Sequence, residues 1–124
     1  SYMHSPVIRV IVGEDPDTEE FFVHQDLICP GSEFFQNAMN EPWLEAEQRK
    51  VTLPKEEPDT FAVYMGLLYT YKVPIKGPAS TPEAYAEYTI LAQLYVLAEM
   101  LIDVKTKDIV LPASTARSKE RFGD

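Results

Sequence analysis

The sequence is poor in residues on which many small enzymes and secreted domains depend, with one cysteine, two histidines and five glycines among 124 residues. The single Cys29 excludes an internal disulfide framework and a cysteine-built zinc site, and it is typical of the cytoplasm or nucleus. The glycines form no phosphate-binding loop. No apolar run approaches the about 20 residues that span a bilayer, so we expect no membrane partner.

Basic residues are scarce as well. The chain has 11 Lys and Arg against 20 Asp and Glu, which gives a formal net charge of -9. Because a nucleic-acid surface needs clustered Lys and Arg, we expect no nucleic-acid partner. The excess lies in the first half: Glu14 to Asp59 holds 3 bases and 13 acids, a net charge of -10. Such a block forms a solvated face or steers a basic partner.

The length and a content of 45% hydrophobic and 25% charged residues predict one globular domain. We expect it to occupy residues 7–111. Residues 1–6 are predicted to be a disordered start, in which Ser1-Tyr2-Met3 are remnants of expression. Residues 112–124 are predicted to be a flexible tail or linker, because little in them can be buried.

A β-hairpin is predicted at the start of the domain. Val7–Val12 is short, β-branched and apolar except at Arg9, which is typical of a strand covered on most of both faces. Glu20–Val23 has similar character, and the turn cluster Gly13–Asp17 lies between the two segments.

Two helices are predicted next. Asp26–Ile28 forms a short helix that stops at Pro30-Gly31, and Ser32 caps a second helix that is closed by Asn40-Glu41-Pro42. One face of the second helix is apolar through Phe34, Phe35, Ala38 and Met39.

A short strand at Lys50–Pro54 is predicted to precede a helix that begins at Pro58, where a missing N–H costs nothing. The spacing of this helix predicts a buried stripe of Phe61, Tyr64, Met65 and Leu68. Val73–Ile75 is predicted to be a brief edge strand, because only that setting readily tolerates its proline.

A long helix is predicted from the start signal Thr81-Pro82-Glu83. Glu87 and Glu99 are expected on its polar side. Asp103 is predicted to cap one more short helix through about Val110. The apolar stripe of the long helix comprises Tyr88, Leu91, Leu94, Tyr95, Ala98, Leu101 and Ile102.

The sequence offers little for catalysis. His4 lies in the predicted disordered start, and His24 is expected to be satisfied by backbone groups where a strand meets a helix. Cys29 has no basic neighbour to stabilise a thiolate. The acids Asp15, Asp17, Glu19 and Glu20 lack the spacing of a calcium loop. We predict no enzymatic activity, no cofactor and no metal, with a small hydrolase or metal-dependent enzyme as the remote alternative.

The order of short motifs resembles the BTB/POZ domain family. The carrying segments, from Val7 to Ile75, are Val10-Ile11-Val12-Gly13, Phe22-Val23-His24-Gln25-Asp26-Leu27-Ile28, Ser32-Glu33-Phe34-Phe35, Val51-Thr52-Leu53-Pro54, Pro58-Asp59-Thr60-Phe61 and Leu67-Leu68-Tyr69-Thr70. Tyr95–Glu99 is similar to the family's following helical hairpin. Trp43-Leu44-Glu45-Ala46 resembles a variant common in fungal members.

The resemblance implies an α+β fold, with a small mixed sheet, flanking helices and a C-terminal helical hairpin. The core motifs would occupy residues 7–75 and the hairpin residues 81–111. The motif residues then have structural roles: His24 and Ser32 organise helix starts, and the core positions are Val23, Leu27, Ile28, Phe35, Phe61 and Leu68.

The function that the resemblance implies is a protein–protein interaction module that self-associates or recruits partners. Some relatives are adaptors for cullin-type ubiquitin ligases, and others are oligomerisation domains of transcription regulators or scaffolds without a ligase role. Both alternatives stay open from the sequence. A homodimer is implied. The swapped type, in which relatives exchange a helix and a strand that precede the first core strand, is not expected, because only Ser1–Pro6 precede Val7. Ile75-Lys76-Gly77 also lacks the Glu of many cullin-binding relatives, and Tyr71 stands where the family usually has glycine.

Four residues are candidates for partner binding. Trp43 and Leu44 lie in a charged connection, where they either pack beneath the loop or anchor a partner, since aromatic residues concentrate at binding hot spots. Tyr69 and Tyr71 are candidates because one helical face holds only some of the apolar groups of that segment.

Overall fold

A computed structural model describes residues 5–40, 48–70 and 82–110 of the chain. The strands in these ranges are β1 (Val7–Val12), β2 (Glu19–His24) and β3 (Lys50–Leu53). The helices are α1 (Gln25–Ile28), α2 (Glu33–Asn40), α3 (Pro58–Thr70), α4 (Pro82–Met100) and α5 (104–110). The predictions at Trp43, Leu44 and Tyr71, the edge strand at Val73–Ile75, and residues 1–4 and 112–124 lie outside the described residues.

The three strands form one mixed sheet in the order β2-β1-β3. β1 runs antiparallel to β2, with Val10 opposite Phe21, and parallel to β3, with Val10 opposite Val51. The predicted hairpin is thus confirmed. Its turn requires glycine at Gly13, which has a φ of 98° and where a Cβ would lie 2.6 Å from the Asp17 carbonyl oxygen.

One face of the sheet forms the core and the other meets solvent. Ile8, Val10 and Val12 have no exposed surface, whereas Val7 is 41% exposed. The prediction that β1 is covered on most of both faces is therefore wrong: an apolar strand sequence does not distinguish a second protein layer from a bare surface. Arg9 is exposed as expected, and its guanidinium forms an ion pair with Glu20.

The helices pack on the inner face of the sheet. The buried apolar side chains of the described helices are Ile28, Phe35, Phe61, Tyr64, Leu67, Leu91, Leu94, Leu97, Ala98 and Val110, and Leu101, directly after α4, is buried as well. The stripe predicted for α3 is displaced, because Leu67 is buried whereas Leu68 is only partly covered. Leu27 of α1, also predicted in the core, is only partly covered as well.

Helix α4 departs from its predicted pattern at both ends. Glu87, expected on the polar side, is only 7% exposed. Ile102, expected in the apolar stripe, is 44% exposed, because α4 ends at Met100 and the backbone turns away from the helix at Ile102. The predicted hairpin partner is present: Lys107 of α5 pairs with Glu99 of α4 at 3.6 Å and lies 5.2 Å from the centroid of the Tyr95 ring.

Candidate partner-binding surface

The turn between α4 and α5 has an unusual backbone at Ile102. Ile102 has a φ of 53°, its N–H donates to the Glu99 carbonyl at 3.1 Å, and the N–H of Asp103 donates to the Ala98 carbonyl at 2.8 Å. This pair of hydrogen bonds is the Schellman arrangement, in which glycine usually occupies the left-handed position. A β-branched residue is strained there. The turn holds Ile102 at the surface in a conformation that its side chain disfavours.

Asp103 anchors the same turn through a buried carboxylate, which is 1% exposed. Its Oδ1 accepts the backbone N–H of Thr106 at 3.0 Å, so it caps α5 as predicted. Its Oδ2 accepts the Thr106 hydroxyl at 2.8 Å and the Tyr64 hydroxyl at 2.7 Å. Burial first, and then the charge of Asp103 and the hydrogen bond to it, raise the pKa of Tyr64 above its ordinary 10.0. Tyr64 therefore stays protonated as a donor.

The start of α2 is joined to the end of α4. The hydroxyl of Ser32 accepts the N–H of Phe35 at 3.2 Å and donates to the Leu101 carbonyl at 2.7 Å, which confirms the predicted cap. The N–H groups of Glu33 and Phe34 donate to the carbonyls of Ile102 and Leu101, each at 3.2 Å. The N–H groups without a partner inside α2 thus donate to carbonyls without a partner inside α4, so the backbone groups at both helix ends are hydrogen-bonded.

An open groove of about 510 Å³ lies between these joined elements. The α1–α2 turn, the end of α3 and the α4–α5 segment surround it. Its apolar lining comprises Leu27, Pro30, Leu67, Leu68, Ile102, Val104 and Ile109. Val104 is 61% exposed and Ile102 44% exposed, so this groove presents apolar surface to solvent. The exposed acids Asp26 and Glu33 and the exposed base Lys105 also line it.

The outer face of the sheet is a second exposed apolar surface. Phe22 is 58% exposed and lies opposite Arg9 in the β1–β2 ladder, and Val7 is exposed at the start of β1. The Arg9–Glu20 ion pair crosses the same face. The described part of the sheet therefore combines apolar and charged groups on its solvent side.

His24 has a side-chain partner at the junction of β2 and α1. Its Nδ1 lies 2.8 Å from the Tyr69 hydroxyl, which also accepts the backbone N–H of His24 at 3.2 Å. His24 occupies the N-cap position of α1, but its side chain makes no capping hydrogen bond. The pair ties the end of β2 to α3, so Tyr69, a candidate for partner binding, is half-buried with its hydroxyl engaged inside the domain.

Cys29 has the properties of a packing residue. Burial first, and then the charge of Asp26, raise the pKa of its thiol from 9.0 to about 11, although Arg49 acts in the opposite direction. Within the ranges that the structure describes, no three histidine, cysteine or acidic side chains are grouped to hold a metal ion. None of the helices found there has the length and apolar character required to cross a membrane.

The sequence missed the residues that form the groove. Leu27 and Leu68 were assigned to the core, and Ile102 to a buried stripe. Val104 carried no prediction of burial or exposure, because residue type alone does not show whether an apolar side chain is covered. Trp43, Leu44 and Tyr71 lie outside the described residues, so their role in partner binding stays a prediction.

Comparisons with known proteins agree with the architecture described above. The model of the family described as "BTB/POZ domain" matches residues 8–109. Among solved structures, 63 chains match, including the BTB domain of zebrafish PATZ1. That domain has 16% sequence identity and a TM-score of 0.57, and the match covers 86% of this chain and 75% of that one. At this identity the likeness concerns the fold alone. No curated protein matches.

Proposed function

The chain belongs to the BTB/POZ domain family, and from that premise we propose that it is an interaction domain that associates with itself and recruits other proteins. BTB/POZ domains serve as protein–protein interaction and oligomerisation modules and are generally non-enzymatic. The family match over residues 8–109 is the observation that carries the proposal, because it spans nearly all of the described domain.

The exposed apolar groups of the domain support this function. Phe22 and Val7 on the outer sheet face, and Ile102 and Val104 in the groove, are large side chains with 41% to 61% of their surface in solvent. Exposed apolar patches rimmed by polar residues mark protein-binding surfaces or ligand-binding grooves. The domain therefore offers two surfaces on which a second copy or another protein can bury apolar area.

The environments of the candidate reactive residues support a non-enzymatic role. His24 is paired with Tyr69, and a pKa of about 11 keeps the Cys29 thiol protonated at neutral pH. Replacing His24 distinguishes this function from a hydrolase or metal-dependent enzyme. We expect His24→Ala to lower the free energy of unfolding and to leave self-association intact. Loss of a specific hydrolytic activity in a folded His24→Ala protein would favour the enzyme instead.

Light scattering at micromolar concentrations and a pull-down from a lysate test the interaction function together. We expect a mass above the 14.1 kDa of one chain, and retention of protein partners. A strict monomer that retains no protein would contradict the proposal.

For a narrower function, we propose an adaptor for a cullin-type ubiquitin ligase. Relatives that serve as such adaptors support this proposal. Ile75-Lys76-Gly77 counts against it, because this segment lacks the Glu of many cullin-binding relatives. Titration calorimetry against fungal and animal cullin N-terminal domains tests it. Heat of binding with either supports an adaptor. Absence of heat with both, in a chain that self-associates, favours an oligomerisation domain of a transcription regulator or scaffold without a ligase role.

We also propose a cytoplasmic or nuclear location and partners that are proteins. A single cysteine without a disulfide is compatible with a reducing compartment. A net charge of -9 disfavours nucleic acid and favours basic protein surfaces. A tagged chain followed by fluorescence microscopy would test the location, and secretion into the medium would contradict it.

A further inference from the structure

We propose that the groove between the α1–α2 turn and the α4–α5 turn binds a segment of a partner protein in which apolar anchor residues are flanked by Lys or Arg. The proposal rests on the interaction function proposed above and adds the site and the chemistry of the partner. The exposure of its apolar walls, the rigidity of those walls and the charge at its rim are the three observations that support it.

The apolar walls are the first observation. Val104 and Ile102 rank among the large apolar side chains most exposed in the described chain, and both line the groove. Leu27 and Leu68, which the family motifs place at core positions, are only partly covered and line it too. Four aliphatic side chains around a volume of about 510 Å³ form a pocket that an aliphatic or aromatic anchor can fill.

The rigidity of the walls is the second observation. Ser32 joins α2 to the end of α4 at 2.7 Å, and Tyr64 joins α3 to the α4–α5 turn at 2.7 Å. Both hydrogen bonds are buried. Ile102 is held beside the groove with a positive φ that its side chain disfavours, and such strain persists only where the surrounding structure fixes it. A groove whose walls are fixed in advance loses little entropy when it binds a segment.

Charge is the third observation, and it selects the occupant. The exposed acids Asp26 and Glu33 outnumber the exposed base Lys105 among the described groove residues, and the segment from Glu14 to Asp59 that contains both acids has a net charge of -10. A partner segment that is itself acidic would be repelled by these acids. A segment with Lys or Arg beside its apolar anchors complements both the rim and the walls.

A library of random 16-residue peptides displayed on phage is the probe for this site. It is selected against the complete chain, and one selected peptide is then labelled and titrated by fluorescence anisotropy. We expect the selected peptides to combine two or more apolar residues with Lys or Arg, and the affinity of the labelled peptide to fall as salt concentration rises. Selection of acidic peptides, or of none, would overturn the proposal.

Matched variants locate the site. Val104→Asp places a charge in the groove, at the start of α5 where an acid is compatible with the helix. Val96→Asp makes the same change at a side chain that is 62% exposed on α4 and does not line the groove. We expect Val104→Asp to weaken peptide binding about tenfold or more and Val96→Asp to leave it unchanged. Equal effects of the two substitutions would overturn the proposal.

The charges at the rim have a separate readout. The double variant Asp26→Asn, Glu33→Gln should bind the labelled peptide more weakly. Its affinity should also depend less on salt concentration, because fewer charge pairs form. Circular dichroism confirms that each variant is folded. An unchanged salt dependence would show that the rim does not select basic segments and would overturn that part of the proposal.

Light scattering separates the failure of this site from failure of the interaction function. We expect Val104→Asp to self-associate like the unchanged chain while it loses the peptide. If Val104→Asp instead becomes monomeric, a second copy covers the groove and the proposed occupant is wrong, whereas the interaction function stands. If the unchanged chain binds peptide but never self-associates, the groove stands and self-association is wrong.

Discussion

The hydroxyl of Tyr64 donates a 2.7 Å hydrogen bond to Oδ2 of Asp103, which lies 39 residues further along the chain. Both residues are buried, and Asp103 in addition holds both the backbone N–H and the hydroxyl of Thr106. This carboxylate therefore connects α3 to the α4–α5 turn and caps α5 at the same time. The groove wall formed by the α4–α5 turn depends on the buried Asp103 carboxylate, which is stabilised by the hydrogen bonds that it accepts.

Tyr64→Phe removes one donor to that carboxylate while keeping the ring, which packs 5.8 Å from the centroid of Phe61. We expect it to lower the free energy of unfolding by about 1.5–3 kcal/mol, the usual worth of a hydrogen bond to a charged group. Urea denaturation measures the change. The matched control is Tyr69→Phe, which loses a hydroxyl at a half-buried site and should cost less. Equal losses would contradict the role assigned to Asp103.

Ser32→Ala tests the junction between α2 and α4. It removes the cap on the N–H of Phe35 and the hydrogen bond to the Leu101 carbonyl, so we expect a loss of about 1–2 kcal/mol in the free energy of unfolding. Ser5→Ala is the control, because its exposed hydroxyl accepts the N–H of Asp26 at 3.3 Å and should be worth far less. Thermal denaturation that ranks the two variants in the opposite order would refute the assignment.

Ile102→Gly tests the strain in the α4–α5 turn. Glycine adopts the φ of 53° without a side-chain clash. We therefore expect the free energy of unfolding to rise by about 0.5–1 kcal/mol, although a substitution by glycine usually lowers it. Ile102→Val retains the β-branch and should leave stability nearly unchanged. Denaturation in urea compares them. Destabilisation by glycine larger than that by valine would show that Ile102 contributes packing and not strain.

Cys29 should be slow to alkylate. A pKa of about 11 in place of 9.0 leaves about a hundredfold less thiolate at pH 8, since each tenfold step in the ionisation constant is one pKa unit. Because the pKa is raised, reactivity should rise through about pH 11. The rate of reaction with iodoacetamide, followed by mass spectrometry from pH 7 to the onset of unfolding, checks this. A plateau already reached near pH 9 would contradict it.

The local signals of the sequence predicted the elements of the fold because each depends on neighbouring residues. Ser32 and Asp103 were assigned as caps from residue type and position, and the structure confirms both. Pro58 begins α3 as its fixed φ predicts. The ordered motifs predicted the BTB/POZ family, and the match of the family model to residues 8–109 confirms this prediction.

The candidate surface was harder to predict, because exposure depends on what the rest of the chain covers. Spacing places Leu68 in the core and the family resemblance places Leu27 there, yet both line an open groove. Val7 belongs to a strand that is apolar except at Arg9, but no second layer among the described elements covers its face of the sheet. The Tyr64–Asp103 pair joins α3 to the α4–α5 turn, and no periodicity relates the two residues. Sequence patterns thus located the apolar residues without showing which of them remain at the surface.

Self-association is the property that tests the account most directly. Multi-angle light scattering should be recorded on the unchanged 124-residue chain over a range of micromolar concentrations. The account predicts a mass above 14.1 kDa that increases with concentration. A mass that stays at 14.1 kDa across the whole range would contradict it.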